Sequence, residues 1–173
     1  MKKILLLVTL AATVFAAAAC VLSFFEVAFP LWSGKIIGSG LYVCDPVGLG
    51  MIGAKDPFEK VKNTFNIISK VSEVVSVDWS VYAIVIIAYV AAVTVPLTGL
   101  ISVIVLLKRK KLGKNNLSDG IMLILFPMLL MAFGGTKWKD VGVAAGALLP
   151  VLLICGVTVV ACTAISLIIK EKR

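Results

Sequence analysis

Residues 103–126 read VIVLLKRKKLGKNNLSDGIMLILF, an apolar stretch broken by Lys108, Arg109, Lys110, Lys111, Lys114 and Asp119 and resumed at once. Charge confined to a short gap between apolar runs marks two membrane spans meeting at a water-exposed connection. The same pattern holds outward in both directions. Four runs emerge, over residues 4–32, 77–107, 117–133 and 141–169, with a loop over 33–76 between the first two. A helix needs about 20 apolar residues to cross hydrocarbon about 30 Å thick; the third run is near the short limit and the others exceed it. The sequence therefore predicts a single all-α membrane domain over 1–173, a four-helix bundle with a small sheet and a helix in its first outer loop.

The gaps are lopsided in charge. The amino terminus, the Lys108–Asp119 connection and the Lys170–Arg173 tail carry ten basic residues against two acids, a net of +8. The other two connections, with Glu26 and Asp78 at the adjoining span ends, carry seven lysines against seven acids, a net of zero. Since Lys and Arg near span ends stay cytoplasmic, both termini are expected inside and the two loops outside, in the plasma membrane. The basic balance then reads as orientation and contact with anionic membrane lipids, with no nucleic-acid partner implied. The sequon Asn116-Leu117-Ser118 faces the cytoplasm in this topology and is expected to stay bare. Lys2-Lys3, the apolar stretch and Ala17-Ala18-Ala19-Cys20 imitate an export signal with a cleavage box. Hydrophobicity continues through Val21 to Phe29, so an uncleaved first span is expected.

The chain has no histidine and four cysteines. That removes imidazole bases, Ser-His and Cys-His pairs and the commonest metal ligand, and no glycine-rich phosphate loop is present. No catalytic residue, cofactor or metal site is expected. Cys20, Cys155 and Cys162 fall inside spans, where they read as small packing residues; Cys44 falls in the outer loop.

Local patterns refine each segment. The alanines of the first span (11, 12 and 16–19) permit close approach of another helix. Glu26, near the outer end of that run, is the remaining candidate polar site, read foremost as an interfacial residue. Glycines 34, 38, 40, 48, 50 and 53 with short apolar stretches suit a sheet with tight turns. Asp56-Pro57 is an N-cap and first-turn pair, and Phe58, Val61, Phe65, Ile68, Val71 and Val75 recur at helical spacing, predicting a helix over 56–76. Pro96 and Gly99 are expected to bend the second span. Gly142 and Gly146 form a small-xxx-small pair, expected as a helix contact face at the start of span four.

Ala28-Phe29-Pro30-Leu31-Trp32 followed by Gly40-Leu41-Tyr42-Val43-Cys44 resembles the claudin and peripheral-myelin-protein superfamily. Its members carry a tryptophan, then Gly-Leu-Trp and a cysteine, in their first outer segment. The resemblance implies that Trp32, Gly40, Leu41, Tyr42 and Cys44 anchor an outer sheet at the membrane edge. Tyr42 stands where the family has tryptophan, and the second loop cysteine is missing, so the family disulfide has no partner within this chain. Together these readings point to a structural or interaction protein that assembles with itself or with a larger membrane complex. Its contacts are expected at Phe58, Phe65 and the residues just named. The rivals are an accessory subunit of a channel, transporter or other membrane complex, and an oligomeric pore.

Overall fold

The structure, a computed structural model, describes residues 2–24, 32–34, 59, 62, 63, 65, 66, 69, 70, 73, 79–134 and 143–171. Helix α1 runs Lys2–Phe24, α2 Trp79–Arg109, α3 Lys114–Gly134 and α4 Leu148–Glu171. Each is long and apolar enough to cross a membrane, which makes the chain a multi-pass integral membrane protein. Helix α1 packs on α2 and α4, and α3 packs on the same two, so the helices close a square with α1 and α3 on one diagonal. The α2–α3 connection spans four residues, Lys110 to Gly113, which forces its helices antiparallel. The chain starts, turns between α2 and α3, and finishes at one basic end of the bundle.

These helices are apolar all round, and side-chain size separates their faces. The interior holds Ala16, Ala19, Cys20, Ala88, Ala91 and Cys155 among larger residues such as Leu123, Leu149 and Leu152. Outward face Ile4, Leu7, Val14, Ile86, Val93, Leu97, Leu100, Met128, Ile154 and Val157, all exposed. In water so much exposed apolar surface would aggregate; against lipid tails it costs nothing. Lipid competes equally for apolar side chains, so helix pairing depends on close backbone approach, and the small interior residues supply it.

Two short strands, β1 (Trp32–Gly34) and β2 (Val143–Ala145), pair antiparallel, with Trp32 opposite Ala145 and Gly34 opposite Val143. This ladder corrects both ends of the expected spans. The first apolar run is not helical to its end, since Trp32 is extended; Pro30, lacking an N–H, precedes it by two residues. In the fourth run Val143–Ala145 is a strand and the helix starts at Leu148, so Gly146 lies ahead of the helix; Gly142 lies outside the described residues. Glu26 lies outside the described residues. So do Gly40, Leu41, Tyr42, Cys44 and Phe58. Of the expected 56–76 helix, Glu59, Lys62, Asn63, Phe65, Asn66, Ser69, Lys70 and Glu73 are described and are helical.

Candidate functional site: a polar cluster across the bundle

Helix α3 begins with a reciprocal cap. The Gly113 carbonyl accepts the N–H groups of Asn116 (3.1 Å) and Leu117 (3.2 Å), while the Gly113 N–H donates to Asn116 Oδ1 at 3.2 Å. This is one half of a capping box, asparagine at the third helical position reaching back to the N–H of a glycine cap. The other end of the same amide donates to Ser102 Oγ of α2 at 3.3 Å. Asn116 is therefore 1% exposed and joins two helices as well as starting one. The sequon reading missed this: its asparagine is a buried structural group.

One turn along the same face stands Asp119, 4% exposed. Thr13 Oγ1 of α1 donates to Asp119 Oδ2 at 3.4 Å, across the diagonal between helices that are not side-by-side neighbours. Thr98 and Ser102, four apart on α2, line the cavity that Asp119 also faces, the Thr98 hydroxyl donating to the Thr94 carbonyl of its own helix at 2.9 Å. Gly99 brings α1 within reach: a Cβ there would lie 3.3 Å from Ala17 Cβ and 3.5 Å from Thr13 Cγ2. Three helices thus bring polar groups together around one carboxyl inside an apolar bundle. A cavity of about 180 Å³ lies between α2 and α3 at this level, lined by Thr98, Ile101, Ser102, Asn115, Ser118, Asp119 and Met122.

An acid at membrane depth marks a functional or structural centre, because it persists only where polar partners replace water. Here the partner is the Thr13 hydroxyl, with Thr98 and Ser102 beside it; hydroxyls position and solvate a carboxyl but supply no base to activate a nucleophile. No group of three His, Cys, Asp or Glu occurs among the described residues. Asp119 was read from sequence as a loop charge. The signal that identifies it is the i, i+3 pair Asn116/Asp119 on α3, with Thr13 on α1 and the i, i+4 pair Thr98/Ser102 on α2 opposite it.

Of the sequence-derived contact residues, Phe65 is helical and half-buried, Trp32 pairs in β1, and Gly146 is buried just ahead of α4. Cys20, Cys155 and Cys162 are buried free thiols. The closest glycine-mediated approach lies deeper in the bundle. A Cβ on Gly120 of α3 would lie 2.9 Å from Val159 Cγ1 of α4, and one on Gly156 of α4 would lie 2.7 Å from Ile124 Cγ1. No family model matches the chain, and neither a characterised protein nor a solved structure is detectably similar to it.

Proposed function

We propose that this multi-pass protein acts by assembly: a claudin-like structural protein of the plasma membrane that associates laterally or between cells through its outer loop. In this reading both termini and the α2–α3 connection are cytoplasmic, and catalysis plays no part. The observation that carries it is the pairing of Trp32–Gly34 with Val143–Ala145. The chain leaving α1 and the chain entering α4 share one ladder at the end opposite the basic residues, so the long loop springs from a fixed base. Part of that loop is helical and turns Lys62, Asn66, Lys70 and Glu73 outward. A rigidly rooted polar surface on an otherwise lipid-facing bundle is what a docking element needs. The net charge of +8 at the basic end supports the orientation.

The test is gentle extraction from native membrane, followed by mass and composition of the particle, with Cys44→Ser in parallel. A homo-oligomer whose reducible fraction disappears in Cys44→Ser supports the reading. Particles containing other membrane proteins in fixed ratio favour an accessory subunit instead. A monomer without partners refutes assembly in either form.

A further inference from the structure

At the basic end the bundle has a cavity of about 280 Å³, lined by Lys2 and Leu6 of α1, Lys110, Lys111 and Leu112 of the α2–α3 connection, and Ser166 and Leu167 of α4. We propose that this cavity is a binding site for one anionic phospholipid, with its phosphate held between the lysines and its chain origin against the leucines. The site is independent of the assembly reading above.

The lining has three ammonium groups and a hydroxyl, and no acid is among the lining residues. Ammonium groups and a hydroxyl donor are complementary to phosphate oxygens. The leucines distinguish a lipid from free phosphate, since they offer apolar wall where the apolar runs end and the polar headgroup level begins. A basic recess between spans is the form such headgroup sites take.

The backbone supplies a second, separate observation. Lys110 has φ 48°, the left-handed region, and is the one non-glycine among the described residues to do so. Its N–H donates to the Leu106 carbonyl at 2.8 Å, closing α2 with a left-handed cap at a position where glycine is the usual choice. The neighbouring Gly113 is not in that region. Strain of this kind is kept where the conformation serves a site. Here it has a geometric result. Consecutive residues fan around a helix or alternate across a strand, so neither form turns three in a row to one cavity. The left-handed turn lets Lys110, Lys111 and Leu112 all line it.

The experiment uses the full chain, purified and stripped of lipid, then offered phosphatidylglycerol or phosphatidylcholine and examined by native mass spectrometry. The expected result is one retained phosphatidylglycerol per chain and no retained phosphatidylcholine. Lys2→Gln and Lys111→Gln each lower retention about fivefold, the effect of one lysine at an anionic surface, while Lys108→Gln and Lys114→Gln, outside the cavity at the same end, leave it unchanged. Equal losses from all four would show diffuse surface attraction and overturn the site. Displacement by millimolar inorganic phosphate would overturn the lipid as ligand. Lys110→Gly removes one ammonium and relaxes the backbone, so retention falls about fivefold while the melting temperature holds or rises. Wild-type retention in that variant would refute the role given to Lys110, and with it the site.

Discussion

Gly156 of α4 stands so close to α3 that a Cβ on it would lie 2.9 Å from the carbonyl oxygen of Gly120. No side chain flexes out of the way of a backbone carbonyl, so the contact fixes the α3–α4 distance. It also places each glycine on the other's helix surface, which a pair on one helix, such as the 142/146 pair read from sequence, does not do. Val159 and Leu123, both buried, flank the contact and lock its register.

Gly156→Leu should therefore destabilise the bundle by about 3 kcal/mol, since overpacking against backbone has no cheap relaxation. Gly99→Ala meets only the Ala17 methyl at 3.3 Å and should cost about 1 kcal/mol or less. Equilibrium unfolding in mixed micelles ranks the two. Equal costs would show that α3 and α4 separate freely.

Two buried threonines should respond oppositely to the same change. Thr13→Val removes the hydrogen bond to Asp119, which at 3.4 Å is long for a hydroxyl donor, so the loss should be near the 0.6 kcal/mol average for such bonds in membranes, about half a kilocalorie. Thr163 is fully buried and its hydroxyl has no partner, so Thr163→Val should stabilise by about 1 kcal/mol. The same unfolding titration measures both signs.

Asn116→Ala removes a cap and an interhelical bond together and should cost about 2 kcal/mol, near the top of the range for lost caps. Asn115→Ala, at the exposed neighbour, should be neutral. Thermal melts in detergent separate them; equal effects would remove the special role of Asn116.

The orientation is tested by a cysteine placed at Asn115, which is exposed at the basic end. In a Cys44→Ser background the remaining thiols are buried. An impermeant thiol reagent should label that position only after permeabilisation. Labelling of intact cells would reverse the topology.

The spans were legible because lipid demands length and apolarity, properties that sum along a sequence. Their ends were not, because hydropathy does not separate an apolar strand from an apolar helix: Val143-Ala144-Ala145 extends a helical run by composition and leaves it by pairing with residues 32–34. At Lys114 the error runs the other way. Capping by Gly113 and Asn116 starts α3 inside what charge marked as a gap. Asp119 was misread for a related reason. A charge within an apolar pattern reads as solvent contact, and the hydroxyl that replaces solvent, Thr13, lies 106 residues away on α1.

The partners in the β1–β2 ladder are 109 to 113 residues apart, and this sets an order of manufacture. A membrane chain is delivered span by span, so Trp32–Gly34 leaves the insertion machinery with its ladder N–H and C=O groups unmatched. It remains an open strand edge while α2 and α3 are made. Only the arrival of residues 143–145, immediately ahead of α4, closes it. The last helix is thus the latch for the first loop, and a chain truncated after α3 would display an adhesive edge that the finished protein conceals.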